Sequence, residues 1–230
     1  MPARNVVKDY LKNGYYHIYN RGVNKRKIFK KEQDYKVFFS YLKEYLEPRD
    51  EKILRKALEE TPWRKRAGIL QKLNLNNFSK TISLLAYCLM TNHFHLLIKQ
   101  KVERGIERFM KSLATRYVMY FNKRYRRVGP LFQDTYKAVL VETDEQLMHV
   151  SRYIHCNPEE LSSYKGLSLL SYPYSSLGVY LGKWKVGWLK PKEVLDYFSK
   201  EAREADYKDF VLGKEDGGDS LLFIKDLVLD

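Results

Sequence analysis

Side chains alternate across YYHIYNRG at residues 15–22, and β-formers dominate there, which predicts a strand ending at Gly22. After the basic segment VNKRKIFKK, the residues Val37, Phe38, Tyr41, Leu42 and Tyr45 recur at helical spacing. They predict a helix from Glu32 to Leu46, stopped by Pro48. Residues 49–79 are charged, carry Pro62 and Gly68, and group their apolar positions only around Leu54, Leu58, Ile69, Leu70 and Leu73. They read as an insertion holding short helices. TISLLAYCLM at 81–90 is almost continuously apolar, as a strand buried on both faces should be. A turn at Thr91-Asn92 leads into a second strand, HFHLLIK. Over residues 103–124, Ile106, Phe109, Met110, Leu113, Tyr117, Val118 and Phe121 mark the apolar face of a helix. Arg104, Arg108, Lys111, Arg116, Lys123 and Arg124 mark its opposite face. GPLFQDTYKAVLVE predicts a turn and a strand. Thr143 or Asp144 then caps a helix reaching about Cys156, ended by Asn157-Pro158.

Strand, helix, strand, strand, helix, strand, helix is the order of an α+β fold. The expected architecture is a ferredoxin-like antiparallel sheet with helices on one face, occupying residues 1–160. The pattern changes in 161–230, which reads as a C-terminal extension. SYPYSSLGVYLG is turn-rich, helices are expected from Pro191 to Lys200 and from Ala202 to Leu212, and an apolar tail follows a Gly-Gly break.

Charge narrows the function. Lys and Arg number 42 against 28 Asp and Glu, a formal charge of +14, which points to a polyanionic partner such as nucleic acid. The chain has 19 tyrosines, and aromatic rings beside cations suit the unstacked bases of a single strand. Cys88 and Cys156 are the only cysteines. They have neither metal-type spacing nor a disulfide framework, as expected in a reducing cytoplasm. No apolar run approaches the roughly 20 residues of a membrane helix, and the N-terminus lacks the apolar core of a signal peptide. The expected setting is cytoplasmic, on the nucleoid of a bacterial-type cell.

Two local patterns carry chemistry. In a strand, His93 and His95 project to one face and Phe94 to the other, so the two imidazoles make half of a site for a divalent metal. On a helix, Tyr153 and Asn157 share a face, with His149 one turn earlier, and the Asn157 amide oxygen suits a hard cation. Both patterns also have plain structural readings: polar strand residues in the first case, a core tyrosine and a C-capping asparagine in the second. Basic groups cluster around these segments. Arg21, Lys25, Arg26 and Lys27 lie at and after the end of the first strand, and Arg116, Lys123, Arg124, Arg126 and Arg127 lie on and after the long helix, so they are the candidate residues for a nucleic-acid phosphate backbone.

YCLMTNHFHLLIK resembles the HUH segment of single-tyrosine, IS200-like transposases. HVSRYIHCNP resembles their nucleophile helix, above all that of REP-associated tyrosine transposases. YHIYNRGVNKRKIF, GPLFQDTYKAVLV and YPYSSLGVYLG resemble further segments of these families, in order, over about residues 13–182. The resemblance implies a ferredoxin-like fold, Mg²⁺ or Mn²⁺ on His93 and His95, Tyr153 as nucleophile, and single-stranded, often hairpin-bearing DNA as substrate. It also implies that the position four residues after the tyrosine helps hold the metal. Some relatives have Gln there, whereas this chain has the shorter Asn157; His155 points off the Tyr153 face. Both monomers and dimers that exchange nucleophile helices occur in these families, so the oligomeric state stays open.

The implied reaction is transposition-type cutting and rejoining through a 5′-phosphotyrosine. Two other readings fit the same residues: a catalytically silent nucleic-acid-binding protein, and a metal-dependent nuclease using water with Tyr153 structural. A regulatory or interaction protein is the remaining class.

Overall fold

The computed structural model describes residues 10–213. Four strands, β1 (Tyr15–Arg21), β2 (Ile82–Leu89), β3 (His93–Gln100) and β4 (Lys137–Val141), form one antiparallel sheet in the order β2-β3-β1-β4. That order places β3 and β1 at the centre, the arrangement expected of a ferredoxin-like fold. Helix α1 (Glu32–Leu46) and helix α4 (Gly105–Arg124) pack together on one face. Their apolar stripes meet Ile18, Leu84, Phe94, Leu96 and Ile98, the alternate positions of the strands, to make the larger core. Phe94 anchors β3 there, its ring 5.5 Å from Phe38 and 5.8 Å from Phe132.

The opposite face is covered as well. Helix α5 (Asp144–Cys156) lies across β2 and β3, and a second core joins Leu85, Cys88 and Leu97 to Leu147, Val150 and Ile154. The N-cap of α5 is Thr143, whose hydroxyl accepts from the Gln146 amide at 3.1 Å. The chain does not stop at Pro158; it continues as a 3-10 turn over Asn157–Glu160, because proline is tolerated in a first helical turn.

All eight residues of β2 are buried, although β2 is an edge strand. The C-terminal extension explains this. Leu89 donates its amide to the Tyr174 carbonyl, Ser176 to Tyr87, and Lys190 to Leu84, so segment 174–190 covers an edge that would otherwise template aggregation. Within the extension are α6 (Leu177–Tyr180), α7 (Lys192–Leu195) and α8 (Arg203–Leu212). The helix expected from Pro191 to Lys200 is thus shorter, and the apolar tail lies outside the described residues. The segment between α1 and β2 contains α2 (Glu51–Glu60) and α3 (Ala67–Asn74), neither of which buries a residue.

A buried carboxylate ties the basic segments to the scaffold. Asp34 on α1 accepts from the Lys30 and Lys31 amides at 2.8 and 2.9 Å, and from the Tyr120 and Tyr125 hydroxyls at 2.9 and 2.7 Å. Four donors, three on Oδ2 and one on Oδ1, make a fully buried carboxylate tolerable.

Candidate active site

The turn before His93 is clamped from the side. Gly22 donates to the Asn92 carbonyl at 2.8 Å, while the Ile28 and Phe29 amides both donate to the Thr91 carbonyl. The approach requires glycine at position 22, where a Cβ would stand 2.2 Å from the Arg26 carbonyl oxygen.

On β3 the two-residue period sends His93 and His95 to the α5 face. Pairing of β1 with β3 sets Arg21 opposite His93 and Tyr19 opposite His95. His17, also on β1, joins them: its Nε2 is 2.9 Å from His95 Nδ1, and the rings stack at 5.1 Å. His17 and His95 are fully buried and His93 nearly so. From α5, Tyr153 presents its half-buried ring edge-on to His95 at 5.5 Å and to His17 at 5.8 Å. One turn later, Asn157 places Oδ1 3.2 Å from His93 Nε2. The structure therefore brings His93, His95, Tyr153 and Asn157 together.

The hydrogen bonds fix which atoms are left over. His93 Nδ1 is 2.7 Å from Asn92 Oδ1, an acceptor, so the proton sits on Nδ1 and Nε2 carries a lone pair. The Asn157 amide nitrogen donates to the Tyr153 carbonyl at 3.0 Å, as a C-cap would, which turns its oxygen toward His93. Two acceptors then face each other, and only a proton or a cation reconciles them. Burial disfavours the proton: it holds His93 below the usual imidazole range, with Asn157 opposing and Arg21 assisting. His95 is held well below that range, first by burial and then by the neighbouring imidazoles and Arg21. With His95 Nδ1 engaged by His17, its Nε2 is buried without a hydrogen-bond partner. An orphaned imidazole nitrogen, a second imidazole lone pair and an amide oxygen fit a divalent cation and leave positions for phosphate and water. Among the described residues no group of three or more His, Cys, Asp or Glu side chains is arranged to hold a metal ion, so the donors here would be two imidazoles and an amide.

The two histidines of α5 are elsewhere. His149 turns its ring toward Phe210 of α8, not toward the site, because the helix face it occupies is covered by the C-terminal extension. His155 is buried between the Tyr207 hydroxyl and Ser176 Oγ, each 2.7 Å away, and serves the second core. His17 was missed in the sequence because a single histidine between tyrosines carries no spacing signal. Only the register of β1 on β3 reveals it.

The basic residues divide by position. Arg21 acts on both imidazoles. The loop of Lys25, Arg26 and Lys27 adjoins Asn92, whose amide reaches the Lys25 carbonyl. Lys123 and Arg124 end α4 beside Asp34, with Arg126 and Arg127 just after. The following loop returns to β1, where Val23 donates to Leu131 and Gln133 to Arg21, so this cluster shares the His93 end of the sheet. Arg116 does not: about two turns earlier on α4, it is paired with Glu44 at 2.7 Å and stacked on Tyr41 at 3.8 Å.

No curated protein matches the sequence. The structure is similar to that of a REP-associated tyrosine transposase bound to a REP hairpin, at 13% identity and a TM-score of 0.48, covering 81% of this chain and 91% of that one. It is also similar to the tRNA(His) guanylyltransferase of Saccharomyces cerevisiae, at 13% identity and a TM-score of 0.33, covering 96% of this chain and 86% of the other. Both likenesses are too distant to bear on chemistry. The family model described as transposase IS200-like matches residues 55–157, the span that contains His93, His95, Tyr153 and Asn157. Over that segment, the chain is similar to the IS200-like transposase family.

Proposed function

We propose that the chain cuts and rejoins single-stranded, hairpin-bearing DNA through a covalent 5′-phosphotyrosine on Tyr153. The observation that carries this reading is the meeting of Tyr153 with the His93–His95–Asn157 donor set, inside a basic end of the sheet. His93, His95 and Asn157 would hold Mg²⁺ or Mn²⁺, which supplies Lewis-acid stabilisation of charge on the scissile phosphate. The Tyr153 oxygen forms a bond to phosphorus as the bond from phosphorus to the 3′ oxygen breaks. The phenolic proton passes to solvent or a base, and the departing 3′ oxygen takes up a proton. A free tyrosine titrates near 10, so the hydroxyl needs the local positive field, to which Arg21 contributes. The phosphotyrosine keeps the energy of the phosphodiester, so another 3′-OH reverses the step and joins a new strand. Arg21, Lys25, Arg26, Lys27, Lys123, Arg124, Arg126 and Arg127 are assigned to the DNA backbone, and Arg116 to the scaffold.

A labelled hairpin oligonucleotide with Mn²⁺, resolved on a denaturing gel, tests this. The expected product is a covalent protein–DNA adduct with a free 3′-OH fragment. Metal-dependent cleavage without adduct would favour a water-using nuclease, and binding without cleavage a catalytically silent DNA-binding protein.

A further inference from the structure

Helices α2 and α3 form a hairpin that leaves the end of α1 and returns to the start of β2. Its base is clamped by Arg49, whose guanidinium donates to the carbonyls of Lys72 and Leu75. Its tip is a built turn. Arg66 donates to the Thr61 carbonyl at 2.7 Å, the Lys65 amide to Pro62 at 2.8 Å, and the Thr61 hydroxyl to Ala57 at 2.6 Å. This turn holds Trp63 in solvent at 75% exposure, with the Arg64 guanidinium 5.3 Å from its ring. Tryptophan is highly buried on average, so a ring held out in solvent by a hydrogen-bonded turn offers a large apolar contact surface. Charge identifies the kind. Residues 51–74 contain seven Lys and Arg against three Glu. Arg55 and Lys56 pair with Glu51 and Glu60, whereas Arg64 and Lys65 at the tip have no acidic partner among the described residues. A second copy of the same tip would repel it.

We propose that the α2–α3 tip is a stacking contact for an unpaired base of single-stranded DNA, with Trp63 supplying the ring and Arg64 and Lys65 the charge for the flanking phosphates. The inference rests on the reading of the chain as acting on single-stranded DNA, and it names a contact remote from the chemistry. β2 starts at Ile82, which pairs with Gln100 at the end of β3 away from His93. Those ends are about 20 Å apart at roughly 3.3 Å per strand residue. The tip therefore engages only DNA long enough to run past the sheet.

The test compares the full-length wild type, Trp63→Ala and Trp63→Phe on a hairpin oligonucleotide with long single-stranded flanks, the same hairpin with short flanks, and a plain duplex. Anisotropy gives affinity and a denaturing gel gives adduct. Base–aromatic stacking predicts that Trp63→Ala binds the long-flank DNA about 10-fold more weakly, Trp63→Phe much less so, with short-flank and duplex affinities unchanged. Tryptophan emission should be quenched by long-flank DNA in the wild type and clearly less in Trp63→Phe. Adduct formation at saturating DNA should be the same in all three, and thermal unfolding should not move because the ring is exposed. Equal affinities of Trp63→Ala and wild type for long-flank DNA would overturn the inference, as would an equal loss on duplex. A wild-type dimer that dissociates in Trp63→Ala without any change in DNA affinity would give the tip to a second copy instead. Wild-type binding without adduct would count against the Tyr153 chemistry alone, whereas no single-strand binding by the wild type would overturn both readings.

Discussion

His17 and His95 share one hydrogen bond across two central strands, and only one proton fits between their facing nitrogens. With His17 Nε2 as the acceptor, the His95 proton would be held on Nδ1 and its Nε2 would keep a lone pair, the role of a group behind a metal ligand. His17→Phe keeps a ring in the same space and removes that hold. It should weaken Mn²⁺ binding by about 10-fold or more while the fold persists, as read by calorimetric titration. Unchanged affinity would make the pair a packing contact only. His93→Ala with His95→Ala should abolish Mn²⁺ binding, and Asn157→Ala should weaken it less, since an amide oxygen is the poorer ligand; equal losses would contradict that order. At this scale the sequence was readable where a period does the pointing. His93 and His95 share a face by strand alternation, and Tyr153 and Asn157 by the helical turn. The place of His17 and the orientation of His149 depend on strand register and on what covers α5, neither of which has a local signature.

Helix α5 is held from behind by its own histidine. His155 joins Tyr207 of α8 and Ser176 of the edge-covering segment, and burial pulls its pKa from 6.5 down to about 3. The unfolded chain then binds a proton that the folded chain refuses. Stability from this group is complete above pH 6.5 and is lost as pH falls from there toward 3, by about 1.4 kcal/mol per unit. His93 and His95 are shifted the same way. Urea midpoints across this range should fall with acid in the wild type and fall less steeply in His155→Gln. Parallel curves would mean that His155 is not the protonating group. The elements themselves were mostly legible, α1 and α5 almost to the residue. Residues 191–200 were not: Val194, Leu195 and Phe198 have helical spacing, yet only Lys192–Leu195 is helical. Their spacing reports shared contact with the second core, not a continuous helix.

Across the molecule, excess positive charge is not uniform. Arg124, Arg126 and Arg127 gather at the His93 end, while Arg116, further back along α4, is neutralised by Glu44. Reversing Arg124, Arg126 and Arg127 to Glu should lower the slope of log affinity for single strands against log salt by about 2, at roughly 0.7 per phosphate. Arg116→Met should leave the slope unchanged, and equal effects would mean that the DNA track is drawn on the wrong surface. The antiparallel ferredoxin-like sheet followed from the order of the elements. The cover over β2 did not, because an apolar edge strand and an apolar central strand read alike. The central claim remains chemical, and Tyr153→Phe addresses it with the loss of one oxygen and little change in packing. On a labelled hairpin oligonucleotide with Mn²⁺, the variant should still bind DNA and metal but give no covalent adduct and no strand joining. An adduct that persists in Tyr153→Phe, or cleavage that continues unchanged, would contradict the account.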